Sequence, residues 1–473
     1  MLRQPLKILA TACTILALIF NVYIFTYPSL FPFQCSWRCK GSQVRADLQD
    51  FSLAEKTLYY AKQYGLDVLS QWKRQKGEEA LDSRDIHMLA LGDPQIKGNW
   101  QNTPLIKRLD TFGNDYYLGH IFSMMRTRLN PQFVAVMGDL FSSQWIGDSE
   151  FFNRTARLTS RVLKRNPAWL YDIRNGSKDM NGQYQVDWVS FADDLPEHMS
   201  KTPIDFQFGY ENVYAWNPVE DDYLLINITG NHDVGYSGDA TFQHMARFQE
   251  LFGKDNYWIE YDADTEHAWR IVVLNSLLLE GPALQDEFLD ITWEFLYQLF
   301  ERRFNGSTVL LTHVPFYKEE GICVDGPYFS YYPEDYPREP YKANLLRSQN
   351  HLSQGVTKRV LNLIFDNEKP GVILTGHDHE GCETFYNKDP KTAEWFASKK
   401  PQLSNYYIKE ITVKSMMGEF NGNAGLLTGH FNVLHKRWEW SFSLCPFSIQ
   451  HIWWFTKVIT ILSGIFLSLL VVL

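Results

Sequence analysis

The 473-residue sequence lacks several features that would assign a function directly. It contains no P-loop, no basic patch, no internal repeat and no low-complexity tract, and its formal net charge is −10. Nucleic-acid binding depends on neutralising phosphates with lysine and arginine, so an acidic chain without a basic cluster is a poor candidate for it. We therefore expect no nucleic-acid partner.

Cysteine is also scarce, with six residues in the chain. Cys13 falls in an apolar segment, and the remaining odd number cannot all pair with one another. Cys35 and Cys39 lie close in sequence, but the two further ligands that a zinc site needs are missing nearby. Cys323 and Cys382 follow motif histidines at what we expect to be one sheet edge, so a disulfide between them is one possibility that the spacing leaves open.

Five short polar segments carry the chemistry of the chain. Each directly follows an apolar, β-branched run, so each is predicted to lie where a buried strand ends. The predicted strands cover residues 86–91, 133–137, 224–228, 309–311 and 372–374, and the segments are Gly92-Asp93-Pro94-Gln95, Gly138-Asp139, Gly230-Asn231-His232-Asp233, His313 and Gly376-His377-Asp378-His379. Because open α/β sheets place their sites beyond the carboxyl ends of the strands, these side chains should converge. Two carboxylates, an amide and three imidazoles at one edge predict a two-metal site.

Each of these residues also has an ordinary interpretation. An aspartate after a strand, such as Asp93 or Asp139, most often forms a turn or caps a helix, and a lone histidine is usually a surface or satisfied residue. Asp378 lies between two candidate ligands and is expected to be structural. Only the ordered set of segments favours metal binding.

The ordered motifs resemble those of the calcineurin-like metallophosphoesterases over roughly residues 86–442. The resemblance implies an αββα sandwich, two divalent cations and hydrolysis of a phosphodiester. It also implies that His232 protonates the leaving oxygen and that Asp233 orients His232. By motif position, the ligands are Asp93, Gln95, Asp139 and His379 for one ion and Asp139, Asn231, His313 and His377 for the other, with Asp139 shared.

Gln95 departs from the family pattern, which has histidine at this position. An amide oxygen is a harder ligand than imidazole, so the first site should favour oxygen-preferring ions such as Mn²⁺. The Asp-Pro-Gln variant and the segment 413–425 resemble a subgroup of membrane-bound phosphoesterases that remodel glycosylphosphatidylinositol (GPI) anchors in the endoplasmic reticulum. This resemblance implies removal of ethanolamine phosphate from a mannose of the GPI glycan, with the second mannose favoured, in support of exit of GPI-anchored proteins from that compartment.

Long apolar runs stand at both ends of the sequence. Residues 6–27, with Arg3 and Lys7 at the start, predict a signal anchor over 1–27, with a cleaved signal peptide as the alternative. A second span is predicted over 451–473, where Lys457 is the one charge. The positive-inside rule then puts both termini in the cytosol and the catalytic domain in the lumen of the endoplasmic reticulum. The expected partners are the GPI glycolipid, membrane lipid and cargo-sorting receptors.

The fold class is predicted as α/β, a four-layer αββα sandwich between two transmembrane helices. A linker and helix are expected over 28–84, and one catalytic domain over 85–450 because the motifs need every strand in one core. Apolar spacing predicts helices over 51–76, 116–129, 150–164, 242–252, 284–303 and 351–365, and the stretches 406–415 and 431–442 are strand-rich. The insertion over 318–348, which contains Tyr332, Glu334, Asp335 and Tyr336, forms either a substrate wall or an acidic solvated loop.

Two other functions are compatible with the motifs. The first is a membrane phosphoesterase acting on lipid or nucleotide phosphates. The second is a cargo receptor that keeps the fold without binding metal. Every ligand position except Gln95 holds the residue type expected of an active enzyme, which argues against the second alternative.

Overall fold

The computed structural model describes residues 3–37, 85–100, 102–201 and 206–472, together with four single residues between 52 and 62. The predicted helix over 51–76 lies almost entirely outside the described residues. The helices are α1 (Arg3–Thr26), α2 (Leu105–Leu129), α3 (Asp148–Arg157), α4 (Ala168–Gly176), α5 (Trp188–Met199), α6 (Asn231–Val234), α7 (Phe242–Phe252), α8 (Asp286–Glu301), α9 (Gln354–Ile364) and α10 (Gln450–Val472). The strands are β1 (Ile86–Leu91), β2 (Phe133–Val136), β3 (Gly209–Glu211), β4 (Leu224–Asn227), β5 (Tyr257–Tyr261), β6 (Trp269–Val273), β7 (Ser307–Leu311), β8 (Phe329–Tyr331), β9 (Leu346–Gln349), β10 (Gly371–Thr375), β11 (Cys382–Lys388), β12 (Trp395–Ser398), β13 (Tyr406–Thr412), β14 (Asn423–Asn432) and β15 (Arg437–Pro446).

The strands that were predicted to precede the motifs all form. They are β1, β2, β4, β7 and β10, and their bounds lie within two residues of the prediction. The stretch 431–442 is not one strand, because a turn at 433–436 separates β14 from β15. The predicted helix over 150–164 is α3 followed by a π-helical turn at Leu158–Val162.

The strands form two large sheets. A five-stranded sheet has the order β15-β14-β1-β2-β4, and an eight-stranded sheet has the order β12-β11-β13-β10-β7-β6-β5-β3. Strands β1, β2 and β4 are mutually parallel, and so are β6, β7, β10 and β13. The carboxyl ends of the motif-bearing strands within each sheet therefore lie at the same edge.

Successive side chains along each central strand belong alternately to two layers of the hydrophobic core. In β1, Met88 and Ala90 pack between the two sheets with Ile271 and Leu374 of the other sheet. The intervening Leu89 belongs to the cluster that contains the helices. Successive strand residues point to opposite faces, so a sheet that is apolar on both faces must be covered on both. Helices α2, α8 and α9 contribute to that cover, and the predicted four-layer αββα sandwich is confirmed.

Helices α1 and α10 pack against each other outside the sandwich. Thr14 Oγ1 lies 2.8 Å from Ser463 Oγ, and Asn21 Nδ2 donates to Thr460 Oγ1 at 2.9 Å. Hydroxyl and amide contacts of this kind are a common means of joining helices in lipid, where apolar surfaces gain little from meeting. Both helices are long and apolar enough to cross a membrane, with mean hydropathies of 2.3 and 2.2. The pairing is antiparallel.

Two disulfides connect distant parts of the chain. Cys323 is bonded to Cys382, as the sequence left open, and this bond ties the insertion over 318–348 to β11. Cys35 is bonded to Cys445, which fastens the segment after α1 to β15. Among the described cysteines, Cys13 is free.

The pairing can be checked by mass spectrometry of peptides from the unreduced protein. We expect one cross-linked pair that joins Cys35 to Cys445 and a second that joins Cys323 to Cys382, because each pair lies within bonding distance in the fold. Cys13 should react with a thiol reagent once the protein is denatured. A peptide that joins Cys35 to Cys39 would contradict the arrangement.

Candidate metal centre

Four of the predicted ligands lie on backbone turns with a left-handed conformation. The φ angles are 38° at Asp93, 41° at Gln95, 46° at Asp139 and 75° at His377. Residues other than glycine rarely adopt this region, and each instance costs about 1–3 kcal/mol. These strained turns direct the four side chains from the strand ends into one space.

Glycines let the loops approach one another closely enough to form that space. A Cβ atom at Gly138, where φ is +91°, would lie 2.4 Å from His313 Nδ1. A Cβ atom at Gly230 would lie 2.0 Å from the backbone nitrogen of Asp139. Either contact is far inside van der Waals range, so a side chain at these positions would push the loops apart.

A buried group of acidic and imidazole atoms lies at the centre. One ligand atom from each of Asp93, Asp139 and His313 lies within 4.8 Å of the other two. All three side chains are buried, and Asp93 Oδ2 has no hydrogen-bond partner among the described residues. A buried carboxylate oxygen without a donor is costly unless a cation meets it.

The hydrogen bonds of His313 establish its proton arrangement. Its Nδ1 lies 2.8 Å from the carbonyl oxygen of Met137, which can only accept, so Nδ1 carries the proton and donates. The neutral ring then presents an unprotonated Nε2, which lies 3.0 Å from Asn231 Oδ1 and 3.4 Å from Asp139 Oδ1. Three electron-pair donors facing one another are the arrangement that a metal cation stabilises.

His377 is oriented in the same manner. Its Nε2 lies 3.1 Å from the carbonyl oxygen of Gln349 and donates to it, which leaves Nδ1 as the free ligand atom. Its backbone N–H donates to Asp93 Oδ1 at 3.2 Å. Burial, helped by the nearby His313, lowers the pKa of His377 to about 3, so the ring is neutral and able to coordinate a metal.

Gln95 and His379 complete the opposite side of the centre. Gln95 Nε2 lies 3.1 Å from Asp139 Oδ2, to which it donates, and 3.2 Å from His379 Nε2. The amide N–H groups thus contact an acidic oxygen and a ring nitrogen. In a metal site, a cation would occupy the position of these N–H groups. A half-turn of the amide brings Oε1 to the same position as a ligand.

The electrostatics of the two carboxyl groups demand positive charge. Burial and the neighbouring Asp139 raise the pKa of Asp93 well above its usual range. Burial by itself would raise the pKa of Asp139, but the imidazoles of His313 and His232 lower this pKa below its usual value. Two adjacent buried carboxylates cannot both be ionised without compensation, and two divalent cations supply it.

His232 and Asp233 occupy different surroundings. The side chain of His232 is 38% exposed, with Nε2 3.7 Å from Asp139 Oδ2. The carboxylate of Asp233 is buried and accepts from the backbone N–H groups of Leu140, Phe141 and Gly230 at 2.9–3.1 Å. These contacts join the loop of Asp139 to the loop of Asn231. Asp233 therefore stabilises the relative position of the two loops. The orientation of His232 by Asp233 stays a prediction.

The nine residues singled out from the sequence lie in one cluster, and their donor set fits divalent cations. Gln95 contacts Asp139 and His379. His313 contacts Asn231 and Asp139. Asp93 lies with Asp139 and His313 and accepts from the backbone N–H of His377. The role of each as a ligand stays a prediction. When bound, the two ions would neutralise charge on a phosphate and activate water.

Sequence reasoning missed several residues of the site. Gln349 of β9 and Met137 supply the carbonyl groups that orient His377 and His313. Tyr236 places its hydroxyl 3.5 Å from His377 Nε2. Backbone carbonyls carry no side-chain signal, and Gln349 lies outside the five motifs. Met137 directly precedes Gly138-Asp139 and Tyr236 lies three residues after Asp233, so both had positions that pointed to the site.

The centre opens into a cavity of about 550 Å³. Asn231 and His232 lie at its inner end, and aromatic side chains form much of the wall. From the insertion, Tyr332 and Tyr336 line the cavity, whereas Glu334 and Asp335 are exposed outside it. The lining residues are Ser142, Ser143, Gln144, Trp145, Asn231, His232, Tyr236, Asp239, Tyr332, Tyr336, Arg338, Glu339 and Arg347.

A four-layer sandwich whose strand ends bring buried carboxylate, amide and imidazole groups together is the architecture of a metal-dependent phosphoesterase. Relatives found by sequence comparison agree, and the chain belongs to the calcineurin-like metallophosphoesterases, in the family of Protein TED1 from Saccharomyces cerevisiae. Its identity to that protein is 60% over 467 residues, or 97% of each chain. An uncharacterized protein of Schizosaccharomyces pombe is 26% identical over 374 residues, which are 73% of this chain and 70% of the relative.

A more distant relative carries the activity class in its name. Metallophosphoesterase 1 of Danio rerio is 21% identical over 329 residues, which are 65% of each chain. No family model matches the sequence. Membership therefore depends on the relatives and on the site, which together support a phosphoesterase that binds divalent metal.

Asp139→Asn tests the shared position of this carboxylate. The change keeps the volume but removes the charge that both ions would share, so metal content should fall at both sites together and activity should drop by more than about 100-fold. Metal analysis of the purified protein and hydrolysis of a chromogenic phosphodiester measure the two effects. Asp110→Asn, an equal change at an exposed position of α2, should leave both unaffected. Full activity of Asp139→Asn with two bound ions would reject the assignment.

Proposed function

We propose that this protein is a lumenal phosphodiesterase of the endoplasmic reticulum membrane that removes ethanolamine phosphate from a mannose of the GPI glycan, the second mannose in particular. The observation that supports the proposal is the opening of the metal centre into a cavity with aromatic walls. In this proposal the ions are Mn²⁺, since Gln95 offers an amide where an imidazole is usual. The trimmed GPI-anchored protein would then pass to cargo-sorting receptors.

The cavity suits a sugar next to a phosphate. The rings of Trp145, Tyr236, Tyr332 and Tyr336 line it, and Tyr332 and Tyr336 lie 4.8 Å apart between ring centroids. Aromatic faces pack against the apolar faces of sugar rings, while a few polar groups fix orientation. A volume of about 550 Å³ is within the range of small-ligand sites and admits more than a phosphate alone.

The proton for the leaving group would come from His232. A mannose leaves a phosphodiester as an alkoxide, which is a poor leaving group and needs a proton as the bond breaks. His232 lines the cavity, is partly exposed, and has its backbone N–H bonded to Asp139 Oδ1 at 2.9 Å. The ring is thereby held beside the centre but free to reach a substrate oxygen. Asp233, through its three backbone contacts, fixes the turn that carries His232.

The disulfides and the helix pair favour the lumenal side. Disulfides persist in oxidising compartments, and both bonds lie in the part of the chain that follows α1 and precedes α10. The antiparallel helices would put both chain ends on one side of the membrane and the sandwich on the other. Arg3 and Lys7 at the start of α1 favour the cytosol for those ends.

His232→Ala separates general-acid catalysis from damage to the metal centre. The variant should retain its metals, lose about 10²–10⁴-fold on an alkyl phosphodiester, and keep much of its activity on a nitrophenyl diester, whose leaving group departs without a proton. Asp233→Asn, which weakens the contacts between loops, should instead lower activity on both esters alike and reduce thermal stability. An equal loss on both esters for His232→Ala would eliminate the general-acid role.

The substrate can be tested in cells that lack the protein and carry either the natural chain or Asp139→Ala. Mass spectrometry of GPI glycans should show ethanolamine phosphate retained on a mannose with the variant and removed with the natural chain. Asp110→Ala provides the control for expression and targeting. Identical glycans in all three cases would contradict the proposal.

A further inference from the structure

The cavity next to the metal centre is also lined by charged residues that the proposed reaction has not used. Asp239 and Glu339 line the cavity as acids, and Arg338 and Arg347 line it as bases. Lys342 lies behind them and is buried. Which of these charges remain available decides what kind of group the wall can bind.

Both acids are paired with Lys342, which offsets one of their two negative charges. Its ammonium lies 3.1 Å from Asp239 Oδ1 and 3.0 Å from Glu339 Oε2. Asp239 also accepts from the hydroxyl of Tyr332 at 2.8 Å, and Glu339 accepts from the hydroxyl of Tyr341 at 2.6 Å.

Aromatic rings complete the surroundings of this ammonium. Lys342 Nζ lies 4.2 Å from the centroid of the Trp145 ring and 5.6 Å from that of Tyr332, within the range of cation–π contact. These aromatic and acidic groups, which would suit an ammonium ligand, are therefore already occupied by a lysine of the protein itself.

The two arginines have no acidic partner among the described residues. Both are exposed, and the guanidinium carbon of Arg347 lies 5.6 Å from the centroid of the Tyr332 ring. With the acids paired to Lys342, the wall carries net positive charge. Guanidinium groups bind phosphate oxygens through paired N–H donors, so two of them on one wall favour an anion.

The segments that carry the two arginines make hydrogen bonds or ion pairs with other residues around the cavity. Arg347 lies on β9, and Gln349 on the same strand holds the ring of His377 through its carbonyl group. Arg338 directly precedes Glu339, which is anchored to Lys342. A group bound by the arginines would thus lie in the same cavity as the reacting phosphate.

We propose that Arg338 and Arg347 form a subsite for a second phosphate group on the substrate molecule, apart from the phosphodiester that is cleaved. The inference rests on the proposed function for the nature of the glycan and extends it to a class of substrate with two phosphates. An anionic lipid headgroup offers the same chemistry from the membrane, and the experiment separates the two sources.

The test uses two synthetic glycans as competitors of chromogenic diester hydrolysis by the full-length protein. Both glycans carry ethanolamine phosphate on mannose, and one has a second phosphodiester on the adjoining sugar. The natural chain should be inhibited about tenfold more strongly by the doubly phosphorylated glycan, since charge-assisted hydrogen bonds are worth about a factor of ten or more. In Arg338→Gln/Arg347→Gln the ratio of the two inhibition constants should approach one.

Arg437→Gln is the matched control, because this exposed arginine lies on β15 and does not line the cavity. It should keep the tenfold ratio. Equal inhibition constants for the natural chain, or an unchanged ratio in the double variant, would overturn the subsite.

Anionic phospholipid vesicles separate the two sources. If they abolish the preference in the natural chain, the subsite binds a headgroup and the substrate assignment is wrong. The cleavage products of the two glycans are analysed in a separate measurement. If the glycans inhibit the protein but are not cleaved, the proposed function is refuted and the subsite is supported.

Discussion

The close approach of the ligand-bearing loops is the constraint on which the rest of the site depends. Gly138 contacts the His313 ring and Gly230 contacts the backbone of Asp139, with no room for a side chain at either position. The carboxylate of Asp233 then joins the same loops through backbone N–H groups. Sheet ends alone bring loops within reach of one another, but these contacts reduce the separation to the few ångströms that a metal centre requires.

That approach concentrates negative charge below the surface of the protein. Asp93 and Asp139 are buried together, and Asp93 keeps an oxygen that has no donor among the described residues. The histidines around them are neutral because burial lowers the pKa of His313 and His377. Neutral ligands and unpaired carboxylate oxygens are a poor arrangement for a protein alone and a good one for divalent cations, so the instability of the empty arrangement is the physical basis of metal affinity.

The parts of the structure that the sequence predicted are those encoded locally. Each motif follows its own strand, so β1, β2, β4, β7 and β10 and the convergence of their ends could be inferred from short stretches. The bond between Cys35 and Cys445 could not, because it joins residues 410 positions apart. Helices α4 and α5 were also missed, since residues 165–218, which contain them, are rich in proline, asparagine, aspartate and aromatic residues that give no clear apolar period.

The acidic insertion shows most clearly why composition alone misleads. Glu334 and Asp335 suggested an anionic wall, but both are exposed and neither lines the cavity, and the acids that do line it are paired with Lys342. A phosphoesterase with a net charge of −10 must collect positive charge where the phosphate binds. Divalent cations at the strand ends would supply part of it, and Arg338 and Arg347, which have no acidic partner among the described residues, supply more on the cavity wall. The net charge of the whole chain and the charge of that wall therefore have opposite signs.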